Sequence, residues 1–85
     1  MNENRLICDI ERRIRANYEA WTVGVTNDPI RREREFAADG QRTVWWQDWT
    51  AESEATARAV ADFFARKGCL LAPDGAPNSV HVYIC

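Results

Sequence analysis

Apolar and polar positions change their spacing several times along the chain, and each change marks an element. Between residues 4 and 18, Leu6, Ile7, Ile10, Ile14 and Tyr18 recur at helical spacing, while Arg5, Asp9, Glu11, Arg12 and Arg15 fill the other side. This predicts an amphipathic helix over 4–18. From 20 to 26 the period falls to two. Trp21, Val23 and Val25 alternate with Thr22, Gly24 and Thr26, the pattern of a strand with one buried face. The chemistry then switches at Asn27-Asp28-Pro29. Asp28 is placed to accept a bond from a free N–H of a first helical turn, and Pro29 loses nothing where an N–H would have no partner. A helix over 29–39 follows, closed by Gly40. Its apolar side is thin, Ile30, Phe36 and Ala37, and Arg31, Arg32, Glu33, Arg34 and Glu35 keep it at the surface.

A second strand is expected over 43–49, where TVWWQDW places three tryptophans in five residues. Alternation sets Trp45, Gln47 and Trp49 on one face and Val44, Trp46 and Asp48 on the other. A longer helix over 51–67 takes Thr50 as its cap. Glu52 and Glu54 complement the positive end of its dipole, Arg66 and Lys67 the negative end, and Gly68 stops it. Its buried stripe reads as Thr56, Ala59, Val60, Phe63 and Phe64. Leu70 and Leu71 then cover the core edge, and Pro73-Asp74-Gly75 and Pro77-Asn78 supply turn chemistry. The last strand, over 79–85, alternates Val80, Val82 and Ile84 with His81 and Tyr83, apolar enough to be central. This order is α+β. Its strand-helix-strand unit makes the strands over 20–26 and 43–49 parallel, with room for an antiparallel strand between them.

Length and charge narrow the picture. The 85 residues form one domain, 1–85, able to bury roughly 60–65% of the surface its unfolded chain exposes. The net charge of -2 gives no global attraction to nucleic acid or anionic membrane. Of eleven basic residues all but Lys67 are arginine, which favours planar contacts to carboxylates or phosphates. Cys8, Cys69 and Cys85 are odd in number and far apart, with only His81 as a companion, so neither a disulfide framework nor a zinc site is indicated. A charged start and the lack of a long apolar run argue against a signal peptide or membrane span, so a cytoplasmic location is expected.

The stretch from Trp21 to Arg34 resembles the second strand and first helix of the GIY-YIG nuclease superfamily. Val23 and Gly24 match the last two letters of that family's Tyr-Ile-Gly, Thr22 stands in place of its tyrosine, and Arg32 falls eight residues after the glycine. The resemblance implies a small sheet whose middle strand carries the other tyrosine motif. No strand precedes Trp21, so the strand over 79–85 is expected to take that place from the other end of the chain. The result is a permuted three-stranded mixed sheet in the order 20–26, 79–85, 43–49.

The resemblance also implies chemistry: tyrosines near a nucleophilic water, the helix arginine on the phosphate, and a later glutamate holding a divalent metal. Here the glutamate position falls near Ala59 and a frequent family histidine falls at Phe36, leaving Gly24 and Arg32, with His81 and Tyr83 as substitutes. The preferred expectation is a non-catalytic binding domain with no cofactor. It would engage a macromolecule through Arg31, Arg32 and the tryptophans Trp45, Trp46 and Trp49, protein being favoured over nucleic acid. The alternative is a metal-dependent phosphodiesterase or nuclease using Arg32, His81 and Tyr83.

Overall fold

The strand-to-helix junction at Asp28 is built as its sequence implies. The structure, a computed structural model, describes residues 1–73 and 77–85. Strand β1 (Thr22–Thr26) leads through Asn27 and Asp28 into helix α2 (Pro29–Ala38). Asp28 Oδ1 accepts from the Arg31 N–H at 3.1 Å, and the Thr26 hydroxyl accepts from the Asp28 N–H at 3.1 Å, which orients the cap. At the far end Gly40, with φ of 81°, makes the left-handed turn that lets the Gln41 N–H reach the Phe36 carbonyl at 3.0 Å.

Around this junction stand α1 (Glu3–Ile14), β2 (Gln47–Thr50), α3 (Glu54–Lys67), β3 (Leu70–Leu71) and β4 (His81–Ile84). Among the described residues the architecture is α+β, three α-helices on a four-stranded mixed sheet ordered β2-β4-β1-β3. β4 lies antiparallel to both β1 and β2, so those two run parallel and the late strand fills the gap between them, in the expected order. The expectation of three strands is corrected to four. Leu70 and Leu71 pair parallel with β1 because the Leu70 N–H donates to the Trp21 carbonyl at 3.0 Å and the Ala72 N–H to the Val23 carbonyl at 2.9 Å.

Strand alternation divides the sheet into two unlike faces. Val23, Val25, Val82 and Ile84 meet Leu6, Ile10 and Ile14 of α1 and Ala57, Val60, Ala61 and Phe64 of α3 in the main core. On the other face Tyr83 meets Phe36 of α2, Ala72, Trp46 and Cys85 in a separate, smaller cluster. The stripe of α3 is therefore shifted from the expected one: Ala57 and Ala61 are buried, and Ala59 and Phe63 only partly.

β1 and β4 begin two residues later than expected, at Thr22 and His81, and three further boundaries differ for identifiable reasons. α1 ends at Ile14 rather than 18, since Arg15 and Ala16 take φ of 55° and 63° and turn the chain. Tyr18 still joins the core edge, in a 3-10 turn (Tyr18–Ala20), with its ring 6.4 Å from Phe64 and its hydroxyl donating to the Glu11 carboxylate at 2.9 Å. β2 begins only at Gln47, because the Trp46 N–H closes a turn onto the Thr43 carbonyl at 3.0 Å and takes Trp45 and Trp46 out of the ladder. Thr50 belongs to β2, where its hydroxyl bonds His81 Nδ1 at 3.1 Å. Ser53 caps α3 instead, accepting from the Thr56 N–H at 3.1 Å. Asp74 and Gly75 of the expected first turn lie outside the described residues. Pro77 and Asn78 do turn, Asn78 at φ of 62°. Among the described residues no helix is long and apolar enough to cross a membrane.

Candidate functional site

Gly24 and Tyr83 sit directly opposite one another in the β1–β4 ladder. With no side chain at Gly24, the Tyr83 ring lies flat across the strand, and a Cβ added there would overlap the phenol. Tyr83 is fully buried. Trp46 stacks on its ring with centroids 4.5 Å apart and planes 10° from parallel, and Phe36 meets it edge-on at 5.5 Å. Trp46 is fixed in turn by its indole N–H, which donates to the Asp48 carboxylate at 2.8 Å. Asp48 lies beside Tyr83 across the β2–β4 ladder, so one rung holds the tyrosine, its stacking partner's anchor and the glycine beneath it.

Arg32 closes the cluster from α2. Its Nε donates to the Tyr83 hydroxyl at 3.2 Å, one terminal nitrogen contacts the Glu35 carboxylate at 3.1 Å, and the guanidinium lies 4.9 Å from the Phe36 ring centre. The other terminal nitrogen faces the Pro73 carbonyl at 3.5 Å. The hydroxyl of Tyr83 and the carboxylate of Glu35 both hold Arg32 more firmly protonated than usual, against a smaller opposing effect of burial. Burial raises the Tyr83 phenol above its ordinary value, although Arg32 pulls the other way. The guanidinium is thus tied at three points, and only about a quarter of its side chain is open to solvent, 24%.

Of the residues singled out in the sequence, the structure brings Gly24, Arg32, Tyr83 and Trp46 together. Thr22 is at the start of β1, where its backbone exchanges bonds with Cys85 at 2.8 and 3.0 Å. Its side chain makes no hydrogen bond to another described residue. His81 shares Tyr83's face but bonds Thr50 rather than the arginine. Arg31 points along the outer side of α2 to Asn27 Oδ1 at 3.1 Å. Trp49 packs partly on the main core, and Trp45 stands 62% exposed.

Sequence reasoning missed Glu35 and Phe36 as partners of Arg32. Their spacing of three and four positions along one helix face was the available signal. Glu54 is spent on Arg58 at 3.1 Å within α3, which packs on the opposite face of the sheet. Among the described residues, the divalent metal that the resemblance implies finds no gathered ligand set. Ala59 offers no donor atom at the expected position, and no three His, Cys, Asp or Glu gather among the described residues.

No protein-family model, no curated protein and no solved structure matches the chain.

Proposed function

We propose that this chain is a non-catalytic binding domain on a scaffold resembling the GIY-YIG nucleases, permuted so that its last strand carries the central tyrosine. One observation carries this reading: the corner that resembles the nuclease centre is filled. Tyr83 is buried under Trp46 and Phe36, and its hydroxyl oxygen accepts from Arg32 Nε. Arg32 in turn places three of its five N–H donors on Tyr83, Glu35 and Pro73. Recruiting any of those three N–H groups to a phosphate would cost about 1.5–3 kcal/mol for each charged hydrogen bond lost. The same groups serve well as a rigid platform from which α2 and the tryptophan loop meet a macromolecular partner.

The test is incubation with plasmid DNA and with RNA in magnesium or manganese, run beside Arg32→Gln and Glu35→Gln. No strand cleavage above the variants' background is the expected result. A second reading, residual phosphodiester hydrolysis, draws on the meeting of Arg32, Tyr83 and Glu35 at hydrogen-bond distances. Metal-dependent nicking that disappears in both variants would establish that reading instead.

A further inference from the structure

Away from the filled corner, three hollows adjoin one another where β1 and β2 begin and α1 ends. The largest, about 360 Å³, lies between Trp21 and Trp45, with Arg42 and Asn17 at its rim. A second of about 240 Å³ shares both tryptophans and adds Arg13. The third, about 270 Å³, continues from Arg13 to Arg12, Asp9, Gln47 and Trp49 along the open edge of β2. Together they form one trough walled by three tryptophans and three arginines, with Asp9 its one acid. Its local charge is therefore opposite to that of the whole chain.

Neither Arg13 nor Arg42 forms an ion pair with a described residue, whereas the arginines of α2 and α3 that do, Arg31, Arg32 and Arg58, lie elsewhere. Trp45 belongs to neither core cluster. Exposed tryptophan and arginine side by side are the residue types that dominate protein-binding hot spots. The overall negative charge weighs against a nucleic-acid backbone as the occupant.

We propose that the trough binds an acidic segment of a partner protein, its apolar or aromatic anchor seated between Trp21 and Trp45 and its carboxylates on Arg13 and Arg42. This rests on the binding-domain reading and names the partner's chemistry.

The test uses fluorescein-labelled synthetic peptides in which Asp and Glu alternate with Leu and Phe. Their binding is compared with that of peptides carrying Lys in place of the acids, and with single-stranded oligothymidylate. The acidic pool should bind and move tryptophan emission. Trp45→Ala should weaken binding about tenfold, and Arg13→Glu with Arg42→Glu should transfer preference to the lysine pool. All three positions are exposed, so the variants should keep the parent's urea midpoint. An acidic pool that does not bind, or binds the variants equally well, overturns the proposal. Tighter binding of oligothymidylate would make the trough a nucleic-acid site instead, and self-association abolished by Trp45→Ala would make the occupant a second copy. Plasmid nicking is unaffected by any of these results, so this proposal and the binding-domain reading fail separately.

Discussion

The two faces of the sheet solve the same burial problem with different materials. Beneath α1 and α3 the contacts are apolar and many: Val23, Val25, Val82 and Ile84 meet leucine, isoleucine, alanine and phenylalanine side chains. Beneath α2 there are few, and each depends on another. Tyr83 lies flat only because residue 24 is glycine, Trp46 stacks only because Asp48 holds its indole, and Arg32 reaches the phenol only because Asp28 starts α2 where it does. The first face can supply most of the stability. The second supplies a fixed arrangement of polar and aromatic groups, which is what a binding platform requires.

Mutations on the two faces should therefore differ in size and in additivity. Phe64→Ala, which empties the middle of the main core, should cost about 3–5 kcal/mol in urea denaturation, enough to unfold much of a domain this small. Gly24→Ala should cost about 1–3 kcal/mol, because the added methyl drives the Tyr83 ring off the strand and off Trp46. The accompanying loss of near-ultraviolet circular dichroism would distinguish it from a change in the main core. If Gly24→Ala proved the costlier of the two, the division of labour between the faces would be wrong. Next in size, Arg32→Gln and Tyr83→Phe should fail to add, with a coupling of about 1 kcal/mol in a double-mutant cycle. Two additive losses would mean that the 3.2 Å contact contributes nothing.

The smallest effect concerns pH and touches both faces. Burial raises Cys69 on the main-core side and Tyr83 and Cys85 on the α2 side above their ordinary values. The protonated form is favoured in the fold, so the unfolded chain gives up its proton first. Stability should be level below the ordinary thiol value of 9.0 and fall as pH rises through it toward the raised folded values. Tyr83→Phe should flatten the later part of that decline and Cys69→Ala the earlier part, as read from denaturation midpoints across alkaline buffers.

The parts of the fold legible in the sequence were those with a local cause. Asp28-Pro29 specifies a helix start by its own chemistry, and Val82 and Ile84 announce a central strand by alternation. β3 was not legible, since two leucines have no period and their pairing depends on the position of Trp21 and Val23. The expected cap at Thr50 failed because Thr50 and Ser53 carry the same local signal, and only the ladder partner His81 separates them. Within the candidate site, Gly24 and Arg32 were singled out through the family resemblance, and Tyr83 by placing the last strand between the other two. The trough was not, because Trp21, Trp45 and Arg42 meet through the turn at Thr43 to Trp46, which the sequence presents as a strand.

The place of β4 has a kinetic consequence. β1 and β2 are joined in the sheet through it, and Arg32 finds Tyr83 from 51 residues away, so no partial assembly of the earlier elements can close the sheet. The transition state must bring distant segments together before α2 has a floor to rest on. Refolding should accordingly be slower than in a helical bundle of equal length, and substitutions at Val82 should retard it more than equally destabilising ones on α2.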